Sequence, residues 1–369
     1  MKESLFLDLY RSLGVRVAPR PEAPESLAPL GFADIPAEYA AAREGCAFFD
    51  QTDRGSLRVS GADAQDFLHR MLSNHVRRLE VARGNRNLLL SPKGKVLFDL
   101  DLMVQEGSIA LSTPPGRSEA LRSALDHYLF QEQVSLSVED ETHAPLDVVG
   151  PRAPEVLEAL LGARPTSMPR ARFEYGGVAL AALPVFGSPG FRIEAEPGKT
   201  LEVRERLIAL GALPAGLVVR DSLRVENGCA LSGVDVDENV YPQEAGLEEV
   251  LADDKGCFVG QEVVAKIDTY GGLNKRLMAL RVDHEEPVPR GTRLLWEPSE
   301  TGGDLGMVTT WAYSFALDSA MVLAYVKRRH QDPGTVFLLS GDRGRATIVP
   351  LPVRGRAGRV TSAPAPGEA

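Results

Sequence analysis

NKRLMALRVDHEEPVPRGTRLLW, residues 274 to 296, marks a change of texture along the chain. Its two apolar runs, LMALRV and TRLLW, are short and are parted by a segment carrying Pro287, Pro289 and Gly291. The same grammar continues in GMVTTW (306–311), AMVLAYV (320–326) and TVFLL (335–339). Runs of this length, rich in β-branched and aromatic residues and bounded by Gly and Pro, read as strands. With no helical periodicity between them, they predict an all-β module, barrel or sandwich. The final stretch, RGRAGRVTSAPAPGEA (354–369), reads as a frayed tail.

Upstream of that boundary, helices and strands mix. Prolines at 19, 21, 24, 29 and 36 predict a stiff connector between a helix in MKESLFLDLYRSLG and a second helix in PAEYAAAREGCAFFD. GSLRVSG alternates as a short strand, and ADAQDFLHRMLSN places Phe67, Leu68, Met71 and Leu72 on one side of a helix. Between 86 and 113 the runs NLLLS, KVLFDLDLMV and SIALS are cut by SPKGK and QEGS turns, the pattern of an antiparallel meander. A helix over 117–129, a strand in QVSLSVED and a strand running into a helix in HAPLDVVGPRAPEVLEALLG follow. From 172 to 225 strand, helix and strand alternate again, ending in GLVVRDSLRVENG, where Leu223 and Val225 alternate with charge. The fold class is α+β.

The chain has 369 residues, more than the roughly 250 to 300 at which one core stops growing, so two or three domains are expected. Lys plus Arg number 41 against 51 for Asp plus Glu, a formal net charge of −10. Blanket attraction to nucleic acid or anionic membrane is therefore not expected. One stretch departs from this balance: residues 73–95 hold Arg77, Arg78, Arg83, Arg86, Lys93 and Lys95 against Glu80. It reads either as a solvated face or as a rim facing an anion. Three cysteines without a CxxC pair support neither a disulfide framework nor a zinc ribbon, which points to a reducing compartment. The amino terminus breaks at Asp8, too early for a secretory apolar region, and no window approaches 18 apolar residues, so the expectation is a cytoplasmic protein.

GxxxxGK[ST], GxSxG and HExxH are absent, as is a GxGxxG between strand and helix. His69 and His75 stand six apart, off a common helical face, and no metal site is expected. DDKGCFVGQEVVAK (253–266) sets Cys257 near Lys255 and ahead of a stretch able to start a helix. Either the thiol is an ordinary packed one, or the ammonium and the helix dipole favour its thiolate. Glu226 is either a surface carboxylate or a buried acceptor for a planar N–H and amino edge, the geometry a pterin or guanine presents.

RDSLRVENG (220–228), YPQEAGLEEV (241–250), DDKGCFVGQEVVAK and GGLNKRL (271–277) together resemble the YgfZ family, the folate-binding branch related to aminomethyltransferase, the T protein of glycine cleavage. GADAQDFLHRMLSNHV and SPKGKVLFDLDL are similar to that family's amino-terminal part, and GMVTTWAYSFALDSAMVLAYV to its barrel. The resemblance implies a three-domain, ring-like fold with tetrahydrofolate or a folate derivative in the central hole. It implies a discontinuous folate-binding first domain (1–50 and 145–272), a second α+β domain (51–144) and a β-barrel (273–353). It places Glu226 at the pterin ring and sets Lys255, Gln261 and Glu262 with it as cofactor-binding residues. Cys257 becomes a catalytic candidate, and the basic stretch around Arg86, Lys93 and Lys95 would face the anionic glutamate tail.

One departure bears on catalysis. Where aminomethyltransferases carry an Asp-Asp pair, this chain has Phe98 and Asp99. A phenylalanine exchanges no proton and stabilises no iminium-like cation, which leaves Asp99, or Asp101, as the catalytic carboxylate. The expected function is therefore that of a folate-binding protein supporting iron–sulfur cluster assembly or repair, or the tRNA modification that depends on it. Its partners would be iron–sulfur proteins or a tRNA-modifying enzyme. A single thiol cannot supply a cluster's four ligands, so a cluster role requires such a partner or a small thiol. The alternative is an aminomethyltransferase or a related folate-dependent methyl or aminomethyl transferase.

Overall fold

A computed structural model of the chain describes residues 2–32, 34–166, 168–296 and 303–353; the tail read at 354–369 lies outside the described residues. The chain opens with α1 (Leu7–Ser12), followed by β1 (Val17–Arg20) and β2 (Ala23–Pro29). These two strands pair antiparallel, so the proline-rich stretch is a hairpin and not a stiff connector. A two-stranded ribbon has only edge strands, where a missing N–H is tolerated. Next comes α2 (Ile35–Glu44), whose first turn is capped by Asp34 Oδ1 accepting from the Ala37 N–H at 3.1 Å. It stops at Gly45, and the CAFFD segment read as helix is instead β3 (Ala47–Asp50), buried at every position. A strand with both faces covered shows a continuous apolar run, which periodicity does not distinguish from helix.

The second lobe follows as β4 (Gly55–Ser60), α3 (Ala64–Met71), β5 (Gly84–Leu90), β6 (Val96–Gln105), β7 (Ser108–Thr113), α4 (Ser118–Asp126) and β8 (Ser135–Val138). Its five strands form an antiparallel sheet in the order β5-β6-β7-β4-β8, as the meander pattern predicts. Phe67 and Leu68 of α3 and Leu121 and Leu125 of α4 cover one face of it.

The chain then runs through β9 (Leu146–Val149), α5 (Ala153–Leu161), β10 (Arg172–Tyr175), β11 (Val178–Val185), β12 (Ser188–Glu194), α6 (Pro197–Ala209), β13 (Leu213–Pro214) and α7 (Leu217–Asn227). With β3 these strands make a six-stranded sheet, β10-β11-β12-β9-β3-β13. Neighbouring residues of one strand point to opposite faces. Phe48 and Val148 accordingly join α5 and α6 on one side, while Phe49 and Val149 join α2 and α7 on the other.

GLVVRDSLRVENG, read as ending a strand, is helix α7. It closes at Gly228, whose φ of 71° is the left-handed cap that glycine favours. Val219 and Leu223 lie against the sheet and Val225 against the barrel, and Arg220, Arg224 and Glu226 are buried too. A helix covered on several sides loses the apolar stripe by which sequence reveals it. The chain finishes with α8 (Gln261–Tyr270), β14 (Lys275–Val282), β15 (Arg293–Leu295), β16 (Asp304–Ser314), β17 (Ser319–Lys327), β18 (Val336–Leu339) and β19 (Arg345–Ile348). These last six strands close into a barrel, β14-β17-β16-β15-β18-β19, with β14 pairing β19.

Candidate functional site

Strand β6 builds the floor of the site. VLFDLDLMVQ alternates strictly, so Phe98, Leu100, Leu102 and Val104 enter the core of the second lobe, and Asp99, Asp101 and Met103 face the other way. Phe98 is thus a core residue, with the Arg117 guanidinium 4.6 Å from its ring centroid. It does not occupy the side of the sheet that carries Asp99 and Asp101.

The carboxylate side of β6 and β7 faces β11 and β12 of the six-stranded sheet across a narrow cleft. Asp101 sits at its inner end, accepting from Arg170 Nη1 at 2.6 Å and Arg192 Nη1 at 3.1 Å, with Arg54 Nη2 at 4.0 Å. Arg192 also clasps Asp147 in a fork, Nε at 2.8 Å and Nη2 at 3.0 Å. Burial alone would raise the pKa of Asp101, but Arg170, Arg192 and Arg54 overcome it and hold the carboxyl well below the usual range. The enclosed inner end measures about 30 Å³. It shares His143 and Glu194 with an open groove of about 290 Å³ that also meets Arg58, Arg172 and Glu174. His143 lies 3.6 Å from Glu194 there, and burial is again outweighed, by His143, Arg192 and Arg172, so that Glu194 is pulled down to about 2.

Asp99 is held by Arg86, Nε at 2.8 Å and Nη2 at 2.5 Å. This pairing takes Arg86 out of the free cationic rim; Lys95 donates to the Asn239 carbonyl at 3.0 Å, and Lys93 is exposed. Cys229, which the sequence did not single out, is half-buried within electrostatic reach of the same Arg86, and burial raises its pKa.

Glu226 has 0% exposure, and its oxygens accept from Tyr39 Oη (2.7 Å), Ser222 Oγ (3.2 Å), Ser314 Oγ (2.8 Å) and the Ala316 N–H (3.0 Å). It is the buried acceptor, but its donors are the protein's own. The carboxylate ties α7 to α2 and to the end of β16.

The KGCFVGQE segment is distributed differently from the expectation. Lys255 is buried, its ammonium donating to the carbonyls of His69 at 2.5 Å and of Leu72, so it caps α3. Burial, with Arg77 nearby, pulls its pKa down to about 8. Cys257 is exposed, so the packed-thiol alternative does not hold. Gly260, at φ 81°, has the Ser91 carbonyl oxygen 2.5 Å from where a β-carbon would stand, which fixes the start of α8 against the SPKGK turn. Gln261 Oε1 accepts from the Phe258 N–H at 3.3 Å, and Glu262 is an exposed partner of Lys266 at 2.8 Å. Lys255, Gln261 and Glu262 are thus not assembled around one ligand. Asp99 and Asp101 share a face of the second lobe, and Cys257 and Glu226 serve other places. Among the described residues no group of His, Cys, Asp and Glu has the arrangement to hold a metal ion, and no helix is long and apolar enough to cross a membrane. The arginines of the cleft escaped sequence reading, although Arg192, a charge inside the apolar strand run GFRI, was the available signal.

Two α+β lobes with a charged cleft between their sheets, followed by a closed six-stranded barrel, define a T-protein-type architecture. Residues 21–255 match the GCVT N-terminal domain, and residues 275–353 match the glycine cleavage T-protein C-terminal barrel domain. The chain belongs to the glycine cleavage T-protein family. It is similar to the aminomethyltransferase of Rubrobacter xylanophilus, 31% identical, with 88% of this chain and 87% of that one covered. The aminomethyltransferase of Halothermothrix orenii is 26% identical over 90% of this chain and 94% of its own. The crystal structure of the glycine cleavage system aminomethyltransferase T from Bartonella henselae shares the fold, with a TM-score of 0.84 at 22% identity, 95% of this chain and 98% of that chain being covered. These findings support the wider family and not the YgfZ branch, and they favour what the sequence offered as its alternative reading. Roles in iron–sulfur maintenance or tRNA modification gain nothing from them.

Proposed function

We propose that the chain is a folate-dependent one-carbon transferase of the aminomethyltransferase kind, taking a reduced folate into the cleft between its two α+β lobes. The observation that carries this reading is the cleft itself: Asp101 of β6 confronts Arg192 and Glu194 of β12 across it, in a chain that matches aminomethyltransferases over nearly its whole length. Interfaces between lobes are preferred places for small-molecule sites. The outer groove, about 290 Å³, reaches the lower end of the roughly 300 to 1,000 Å³ typical of ligand pockets. Its charged lining, in which Arg58 pairs with Glu139 and Arg172 with Glu174, suits the polar length of a folate. The bound folate would supply the nitrogen that accepts the one-carbon unit. Asp101, which lines the cleft, would stabilise positive charge developing there by remaining ionised through the physiological range.

Glu226 is not an anchor in this proposal, since its four hydrogen bonds come from the protein. The test is calorimetric titration with tetrahydrofolate together with an aminomethyl-transfer assay using aminomethyl-lipoyl carrier protein. Saturable binding with turnover is expected, and absence of any tetrahydrofolate binding would remove the reading. A second reading, a YgfZ-type folate-binding role in cluster maintenance, is favoured by one observation: Cys257 is exposed on a segment stitched to the second lobe. Binding without turnover would favour it.

A further inference from the structure

Four residues line both the enclosed inner end of the cleft and the open groove: Ser56, Ala110, His143 and Glu194. They mark the doorway between the two spaces. Two of them titrate, and these two stand together, His143 Nε2 lying 3.6 Å from Glu194 Oε1. That is longer than a formed hydrogen bond, and catalytic pairs often tighten only once the substrate is in place.

The ring of His143 is held from both sides along the chain. Before it, the 3-10 turn Asp140–Thr142 is fixed by Asp140, which accepts from the Ser56 N–H at 2.7 Å and from Ser118 Oγ at 2.6 Å. After it, the Ala144 N–H donates to the Ala195 carbonyl at 3.1 Å, next to Glu194. Lys2 Nζ donates to the carbonyl of His143 itself. The side chain keeps 21% exposure, so an anchored imidazole still opens to the cleft.

The other charged groups at the inner end carry no proton to and fro near neutrality. Asp101 is held well below the usual carboxylate range and Glu194 is pulled down to about 2, while Arg170 and Arg192 stay protonated. In the groove Glu139 is paired with Arg58 and Glu174 with Arg172, and Glu196 does not reach the inner end. A histidine beside an ionised carboxylate is the arrangement in which imidazole takes a proton and returns it, the carboxylate stabilising the imidazolium formed in between.

We propose that His143 is the proton-transfer residue of the cleft. The inference rests on the aminomethyl-transfer reading above and gives that site its acid and base. Moving a one-carbon unit off an aminomethyl group expels an amine. The C–N bond to that amine breaks with its electron pair staying on nitrogen, which takes up a proton. The accepting nitrogen forms its new C–N bond with its lone pair and gives up a proton. With Nε2 turned to Glu194, His143 Nδ1 is the atom that takes the one proton and supplies the other. The ring ends as it began, and nothing is oxidised or reduced.

Three measurements on the full chain test this: calorimetric titration with tetrahydrofolate, transfer from aminomethyl-lipoyl carrier protein, and brief treatment with diethyl pyrocarbonate mapped by mass spectrometry. His143→Gln should lower kcat by about a hundredfold or more, the usual worth of a general acid–base group. Its calorimetric affinity and its KM for tetrahydrofolate should stay those of wild type. Added imidazole should restore part of the rate of His143→Ala and do nothing for wild type. In the wild-type chain diethyl pyrocarbonate should label His143, and tetrahydrofolate should protect it while the exposed His127 still reacts.

Turnover of His143→Gln at the wild-type rate would overturn the inference and leave the folate reading standing. So would tetrahydrofolate binding that leaves His143 unprotected, or a His143 that the reagent never reaches in the free chain. A loss of turnover matched by an equal loss of tetrahydrofolate affinity would also overturn it, by making His143 a binding residue. Binding without turnover in wild type would remove the proton-transfer role and keep the folate site. If wild type binds no tetrahydrofolate, both fall.

Discussion

Glu226 accepts four hydrogen bonds inside the protein, and a glutamine of the same shape turns one acceptor into a donor. The Ala316 N–H cannot reverse its role, whereas the hydroxyls of Tyr39, Ser222 and Ser314 can. Glu226→Gln should therefore lower stability by about 2 to 3 kcal/mol, the cost of weakening bonds to a buried charge. Urea denaturation reads this directly, and an unchanged midpoint would mean that the carboxylate is not the joint described. Such a role was out of reach of the sequence, because Tyr39 and Ala316 lie 187 and 90 residues away. The cysteines allow a second test at this scale. Cys257 is exposed, Cys229 is half-buried, and Cys46 is buried with its pKa pushed up to about 12. Brief treatment of the native chain with iodoacetamide should label Cys257 first and Cys46 last. Lys255→Ala should leave the Cys257 rate nearly unchanged, since that ammonium is committed to the carbonyls ending α3.

The last turn of α3 is where an element depends on a distant segment. Besides Lys255, the Ser73 hydroxyl donates to the Val250 carbonyl at 2.7 Å, the Ala252 N–H to the Ser73 carbonyl at 3.1 Å, and Asp254 pairs with His75 and Arg78. Lys255 has a folded-state pKa near 8 against 10.5 for its ordinary value, so between those limits the unfolded chain binds more protons. Stability contributed at this position should rise as pH climbs from about 8 to about 10.5. The difference in unfolding free energy between wild type and Lys255→Met should widen in favour of wild type over that window; a flat difference would show that the amine titrates normally. Elements with one exposed face were the legible ones. The second-lobe meander alternates and declared itself, and the barrel was visible in its short strands. Strand β3 and helix α7 were misread because burial on several sides erased both periods, and the β1–β2 ribbon was hidden by its prolines.

At the scale of the molecule, Asp101 holds two lobes together through residues that stand 69 and 91 positions away. Asp101→Asn would leave Arg170 and Arg192 short of a counter-charge, and removing one partner of such a buried network costs about 3 kcal/mol. Amide exchange in β6 and β12 should quicken together in that variant; protection unchanged in both would show that the lobes are held by other contacts. The carboxylates of this site were readable on β6, while their arginines were not, since β12 meets β6 only in the folded chain. The route of the chain has one more effect, on the ribosome. β4 to β8 occupy a continuous run, Gly55 to Val138, and can assemble as soon as they emerge. β3 ends at Asp50, yet its neighbours begin at Leu146 and Leu213. At about 5 to 20 residues per second its apolar residues wait roughly 5 to 20 seconds for β9 alone. The lobe begun first is thus completed after the lobe inserted into it, and the nascent chain spends that interval with the Phe48–Phe49 pair unpaired and exposed to chaperones.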